Sequence, residues 1–337
     1  LRGMARIAII GGGSWGTALA LALGRTRTPH ARRLWVYEPD LAARMQQTRE
    51  NDLYLPGFRL PPEVVITNDL AEALAEAEIV LSVMPSQFVR GIHRQMLPYL
   101  KPTMTFVSAT KGLENPSLAR MSQVIEETAG EKFPPRLAVL SGPTFAQEVA
   151  SDKPAAVVVA SRDLPLARAL QTEFANPRFR FYTNSDVIGV ELGGAVKNII
   201  AIAAGVCDGL GLGANAIAAL ITRGLVEITR LACACGAQRE TLSGLAGLGD
   251  LVLTCTGKLS RNRSLGVELA RGRRLEEILA STHMVVEGVE TTRSTRQLAE
   301  KLDVEMPITE QMYKMLFEGL APLAAVRNLL ERQLRQE

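Results

Sequence analysis

Arg6-Ile7-Ala8-Ile9-Ile10-Gly11-Gly12-Gly13-Ser14-Trp15-Gly16-Thr17-Ala18-Leu19-Ala20 is a short apolar run that ends in clustered glycines and resumes at once as a small-residue helical pattern. The order reads strand, tight turn, helix. Gly11, Gly13 and Gly16 carry the G-x-G-x-x-G spacing: the first permits the sharp turn, the second lets backbone approach a pyrophosphate, and the third lets helix pack closely on strand. The first-turn amides and the helix dipole then face that diphosphate. Glu38 follows where an acidic partner for a ribose hydroxyl falls, roughly 20 residues on. Strand, loop, helix and carboxylate together make this a dinucleotide site.

Two blander readings compete. A signal peptide would explain Arg2 and Arg6 ahead of an apolar run containing Ala20-Leu21-Ala22, but consecutive glycines at 11–13 break the apolar region such a peptide needs. An unliganded Gly-rich turn would not account for Glu38. Leu1 to Gly3, ahead of Met4, read as an extension before the start and carry nothing.

Composition narrows the class. At 337 residues the chain exceeds most single cores, so two domains are expected. A hydrophobic content of 47% and charged content of 22% are those of a globular protein. Net charge is only +3 and no long Lys/Arg block occurs, which argues against a nucleic-acid partner. The longest uninterrupted apolar stretch, Ile199 to Cys207, is short of the roughly 20 residues a bilayer span needs. Cys207, Cys233, Cys235 and Cys255 form no C-x-x-C pair and have no histidines nearby, so neither a metal site nor a disulfide framework is expected. A cytosolic location follows as the expectation.

From Arg6 to Asn184 short β-rich runs alternate with amphipathic helical segments, the pattern of a doubly wound parallel sheet. Strands are expected at 6–10, 33–37, 64–67, 78–83, 104–108, 137–140, 155–160 and 178–182. After Asn184 the strand signal vanishes, and helices are expected at 187–207, 213–235, 261–271, 288–302, 306–318 and 321–334. The predicted fold class is therefore α/β, a Rossmann-type doubly wound parallel sheet over 1–184 followed by an all-helical C-terminal domain over 185–337. With no flexible linker, a cleft between packed domains is expected. Ligands bind such sheets at the carboxyl ends of strands, where Pro85-Ser86, Thr110-Lys111-Gly112 and Ser141-Gly142-Pro143-Thr144 lie.

Lys197 is the single cation in the apolar helical stretch Gly189 to Ile200. Apolar surroundings penalise its charged form and bring its pKa towards neutral, where proton transfer is efficient. A snorkelling lysine with a wet head group is the alternative. Gly193-Gly194 beside it points to close approach by something bulky. Asp250, in Gly247-Leu248-Gly249-Asp250, either orients Lys197, binds a substrate hydroxyl or caps the next helix. Ser260-Arg261-Asn262-Arg263 offers a guanidinium fork flanked by short polar side chains, a composition that suits phosphate or simply an exposed helix start.

In combination these motifs identify a family. The sequence closely resembles the bacterial-type NAD(P)-dependent glycerol-3-phosphate dehydrogenases through Ile9 to Ala18, Ala109-Thr110-Lys111-Gly112-Leu113-Glu114, Ser141-Gly142-Pro143-Thr144-Phe145-Ala146, Gly193 to Asn198, Ala246 to Thr256, Ser260-Arg261-Asn262, Val286-Glu287-Gly288 and Glu305 to Glu310. That resemblance implies reversible hydride transfer between NAD(P)H and dihydroxyacetone phosphate, giving sn-glycerol 3-phosphate for phospholipid head groups. It implies Lys197 as proton donor and acceptor. Lys111, Gly142, Thr144, Asp250, Ser260, Arg261 and Asn262 are implied as substrate contacts. Ser14, Trp15, Tyr37, Lys111, Ala146, Arg261, Val285 and Glu287 are implied as cofactor contacts beside the glycines. It also raises a homodimer as an expectation.

The position before Glu38 is often basic in the family and here is Tyr37, while Glu38 would repel a 2′-phosphate. The cofactor expectation is NAD(P), leaning to NAD, with Arg32 and Arg33 just upstream as the counterweight. The competing assignments are a two-domain dehydrogenase acting on a β-hydroxy acid, which needs no phosphate cluster, and a nucleotide-sensing module without chemistry.

Overall fold

The computed structural model describes residues 4–332; Leu1–Gly3 and residues 333–337, which include the end of the expected helix 321–334, lie outside the described residues. In chain order the first part runs β1 (Arg6–Ile10), α1 (Ser14–Ala22), β2 (Ala31–Trp35), α2 (Pro39–Thr48), β3 (Glu50–Asn51), β4 (Leu55–Arg59), β5 (Val64–Thr67), α3 (Leu70–Leu74), β6 (Ile79–Ser82), α4 (Val89–Met96), β7 (Thr105–Ser108), α5 (Met121–Gly130), β8 (Arg136–Ser141), α6 (Ala146–Ala150), β9 (Ala155–Ala160), α7 (Leu164–Phe174) and β10 (Phe179–Asn184). The second part is α8 (Val187–Gly209), α9 (Gly213–Ala234), α10 (Arg239–Leu242), α11 (Asp250–Thr256), α12 (Arg261–Ala270), α13 (Leu275–Ala280), α14 (Glu287–Lys301), α15 (Pro307–Phe317) and α16 (Pro322–Leu330).

Eight strands form one sheet in the order β10-β9-β8-β7-β6-β1-β2-β5. The pairs from β5 to β8 are parallel, as expected, but β9 runs antiparallel to β8, with Val139 opposite Ala160 and Ser141 opposite Val158. The sheet is thus mostly rather than wholly parallel. The cause is α6: five residues of helix rise only about 7.5 Å, too little to carry the chain back along a strand roughly 20 Å long. The chain therefore stays at the carboxyl end of β8, which keeps Gly142 to Ala146 beside the cleft. β2 lies two residues upstream of the expected 33–37 because Arg32 and Arg33 sit within the strand and interrupt its apolar signal. The β3–β4 hairpin was not expected from the sequence, and neither were the short helices α10 and α13; α11 entered only as the helix that Asp250 would cap.

Ile7, Ile9 and Leu81 bury one face of the sheet with α1, while Ala8, Ile10, Val80 and Phe106 bury the other with α4 and α5. A third core surrounds α8. Of its 23 residues, 19 are buried, so α8 has no wet face. Interrupted by Lys197, it still has the length of a membrane-crossing helix and an 18-residue stretch of mean hydropathy 1.6, and 89% of that stretch is buried inside the protein.

Close approach fixes what α8 meets. A Cβ on Gly205 would lie 2.0 Å from the Arg263 carbonyl oxygen, and one on Gly266 would lie 2.0 Å from that of Ile202. The backbones of α8 and α12 are therefore in contact, and this crossing brings the amino end of α12 alongside Lys197.

Candidate active site

A cleft of about 630 Å³ opens between the carboxyl ends of the strands and the helical part. A smaller cavity of about 410 Å³ at the opposite end of the sheet includes Arg6, Thr105 and Arg136. Ligands in such folds bind at the carboxyl ends, and the expected chemistry lies in the larger cleft.

Gly11, at φ +127°, takes a conformation closed to other residues, and a Cβ there would strike the Val83 carbonyl oxygen at 2.1 Å. Gly16 packs under it, its Cβ direction 1.9 Å from the Gly11 carbonyl oxygen, so Gly16 supports the loop without lining the cleft. Gly13 differs: a Cβ there would meet nothing within 4 Å, so no neighbour within the chain demands a glycine. The first hydrogen bond of α1 runs from Thr17 N to Gly13 O at 3.0 Å. The amides of Ser14, Trp15 and Gly16 thus precede the helical ladder and stand available to an anion. These features fit a dinucleotide pyrophosphate. Asn51, fully buried, donates to the Gly12 carbonyl at 2.7 Å and to Thr17 Oγ1 at 2.8 Å, pinning the loop from behind.

At the far side of this end, Glu38 accepts a hydrogen bond from the Tyr54 hydroxyl at 2.7 Å. Burial first, and then the Glu38 carboxylate, push the Tyr54 phenol up to about 12. Tyr37 is exposed at the rim. The upstream cations do not reach this corner: Arg32 is buried and donates to the Ala20 carbonyl, and Arg33 is held by the carbonyls of Glu72 and Ala75.

The chemistry gathers on Asp250, which is 1% exposed. Its Oδ1 accepts from Lys197 Nζ at 2.7 Å and its Oδ2 from Lys111 Nζ at 2.6 Å. Lys197 Nζ also donates to Thr254 Oγ1 at 2.5 Å, and Lys111 Nζ to the Gly142 carbonyl at 3.1 Å. An ammonium has three donors, so each lysine keeps one N–H beyond these bonds. Lys197 is 5% exposed, which removes the snorkelling alternative. Burial pulls its pKa down to about 8, aided by Lys111 and resisted by Asp250. Asp250 begins α11 yet turns its carboxylate to the lysines, so it orients them instead of capping the helix.

Ser260 caps α12 by accepting from Arg263 N at 3.2 Å, and Asn262 Oδ1 accepts from Gly288 N at 3.0 Å. Both side chains use acceptors internally and keep donors, the O–H and the NH₂, which is the polarity an anion requires. Arg261 Nη1 donates to the Val285 carbonyl at 3.0 Å across the cleft mouth. Glu287 lines the same cleft; burial raises its pKa, opposed by Arg261, Lys111 and Lys197. Ser14, Trp15, Tyr37, Thr144, Ala146 and Val285 line it too. Gly142 sits behind Lys111 and takes part through its carbonyl. Thr254 and Asn198 also line the cleft, and neither was expected as a site residue from the sequence. Thr254 was findable, being one helical turn after Asp250, and Asn198 follows Lys197 directly.

A glycine-loop sheet joined to a helical part through a buried lysine and a carboxylate defines a nicotinamide-dependent dehydrogenase of two-part build. Two family models divide the chain between them, the NAD-dependent glycerol-3-phosphate dehydrogenase N-terminus over residues 6–167 and its C-terminus over 186–327. The glycerol-3-phosphate dehydrogenase [NAD(P)+] of Koribacter versatilis is 59% identical over 330 residues, 98% of each chain. That of Syntrophotalea carbinolica is 53% identical over 331 residues, covering 98% of this chain and 99% of the relative. The crystal structure of the Coxiella burnetii glycerol-3-phosphate dehydrogenase superposes with a TM-score of 0.92 at 43% identity, covering 98% of this chain and 99% of that one. The chain belongs to the NAD-dependent glycerol-3-phosphate dehydrogenases.

Because Gly13 has open space where a side chain would go, Gly13→Val should fold with near wild-type melting temperature and lose most NADH affinity. Fluorescence titration beside a thermal melt checks this; unchanged affinity would remove the loop from the cofactor site.

Proposed function

We propose that Lys197 supplies the proton, and Lys111 and Arg261 the anion-binding charge, in reversible reduction of dihydroxyacetone phosphate to sn-glycerol 3-phosphate. The observation that carries this reading is the one buried carboxylate shared by two lysines, each with an N–H uncommitted, at the carboxyl ends of the strands. Ketone reduction places charge on oxygen as carbon is reduced, and donors already oriented at that oxygen stabilise it. NAD(P)H, when bound, supplies hydride. Lys197 gives its proton to the developing alkoxide and takes it back in the reverse direction, with a pKa near 8 suited to both. Asp250 holds the donor in place, and Thr254 fixes its second N–H. Lys111 supplies a second donor to the same oxygen.

The phosphate falls to Arg261 with Ser260 and Asn262, reinforced by the amino end of α12. Gly142, through its carbonyl, aims Lys111, and Thr144 lines the substrate's approach. Ser14, Trp15, Tyr37, Ala146, Val285 and Glu287 enclose the cofactor, and Gly11 and Gly13 admit its pyrophosphate. Glu38, held by Tyr54 while Arg32 and Arg33 are engaged elsewhere, favours a ribose hydroxyl over a phosphate, which supports NAD over NADP. We place the domain boundary at 184/185, ahead of Asp186, whose side chain caps α8 through Gly189 N at 2.8 Å. The product serves phospholipid head groups, and the enzyme works in the cytosol as a homodimer, with no nucleic-acid partner and with α8 as buried core instead of a membrane span.

Lys197→Met keeps the apolar stem and removes proton and charge. NADH affinity should hold while kcat falls about 10²–10⁴-fold, the range for losing a general acid; near-normal turnover would move the role to Lys111. Arg261→Lys should raise KM for dihydroxyacetone phosphate by about tenfold or more, since one charge-assisted bond is worth roughly 1.5–3 kcal/mol. An unchanged KM in steady-state assays would return this segment to a solvated helix start.

A further inference from the structure

The segment between β7 and α5 leaves the sheet with Lys111 and is bound to the helical part along its length. Leu113 is buried in the helical core. Asn115 Nδ2 donates to Glu290 Oε2 on α14 at 2.8 Å. At its end Glu191 of α8 accepts from Ser122 N at 2.7 Å, Ser122 Oγ at 2.6 Å and Arg120 Nη1 at 2.5 Å. Ser122 lies in the first turn of α5, so the Glu191 carboxylate caps that helix from the other half of the molecule. The side chains of Arg120 and Glu191 are 10% and 7% exposed.

Glu191, Gly194 and Lys197 are spaced by three along α8, one ridge of the helix. A Cβ on Gly194 would lie 2.3 Å from Ser141 Oγ and 3.7 Å from Lys111 Cγ. The ridge therefore meets the cap of α5, then the end of β8 and the stem of Lys111, then Asp250. A slide of α8 against the sheet would change the distance between Lys111 and Lys197, which share one carboxylate within hydrogen-bond reach. A carboxylate that accepts three directed hydrogen bonds from Arg120 and Ser122 loses them as α8 slides, and so resists the displacement.

We propose that Glu191 is a positioning residue for the reaction: locked to Arg120 and the amino end of α5, it sets the register of α8 against the sheet and with it the spacing of Lys197 from Lys111. The inference rests on the roles assigned to those lysines above. A displacement near 1 Å at reacting groups can cost about a hundredfold in rate, so a contact remote from substrate can govern turnover.

The test compares Glu191→Gln with the unaltered enzyme, alone and in a Lys111→Met background, by kcat and KM for dihydroxyacetone phosphate and by NADH Kd. Alone, Glu191→Gln should lower kcat about 10–100-fold with NADH Kd within about twofold. In the Lys111→Met background it should cost less than about threefold more, because contacts acting through one geometry are not additive. A folded Glu191→Gln enzyme with wild-type kcat and only a lower melting temperature would overturn the proposal, as would equal loss in both backgrounds or parallel loss of NADH binding. Should Glu191→Gln not fold, Arg120→Met, which leaves the helix cap in place, is read the same way. Wild-type rates for Lys111→Met would overturn the lysine assignment and this inference with it, an outcome the single Glu191 variant cannot mimic.

Discussion

The structure turns on one buried carboxylate. Asp250 is shut from water and sits between two ammonium groups, one on the loop after β7 and one on the central helical element. Such a cluster is a poor source of stability, because desolvation offsets much of the attraction, but removal of its centre would leave a buried and a half-buried cation facing each other. Its value is geometric. A carboxylate with an oxygen for each lysine holds both nitrogens at the wall of the cleft, each with one donor left over.

What surrounds the carboxylate follows from the need to bring these groups together. α8 is almost wholly buried and crosses α12 at backbone contact, which only glycine at 205 and 266 allows. This crossing sets Ser260 and Asn262 beside Lys197 with their acceptors engaged and their donors left over. Across the cleft, α6 is too short to return the chain along β8, so Thr144 and Ala146 remain near the cofactor end. Keeping Lys197 charged in such surroundings has a cost that shows in its pKa of about 8, well below an exposed lysine. The same depression makes it a competent acid and base near neutral pH.

Much of this architecture is legible in the sequence. The alternation of short apolar runs with amphipathic segments located the strands of the main sheet, and the loss of that pattern after Asn184 marked the helical part. Lys197 stood out because a charge in an apolar helix needs a reason. The antiparallel β9 was not legible, since an apolar run carries no direction, and only the brevity of α6 decides it. Neither was the β3–β4 hairpin, whose two-residue first strand leaves no periodicity to detect. Ser260 and Asn262 were read as phosphate-binding types, but that their acceptors are already taken depends on contacts with Arg263 N and Gly288 N that no spacing reveals. Thr254 was within reach, one turn along the helix that Asp250 was a candidate to cap.

The pH dependence of kcat/KM, measured in both directions, tests the central claim most directly. With Lys197 as the acid, kcat/KM for reduction of dihydroxyacetone phosphate holds steady at low pH and falls about tenfold per unit above its pKa near 8, while kcat/KM for oxidation of sn-glycerol 3-phosphate rises through the same value. Rates flat in both directions across that range, with the protein folded throughout, would contradict the assignment of the proton to Lys197.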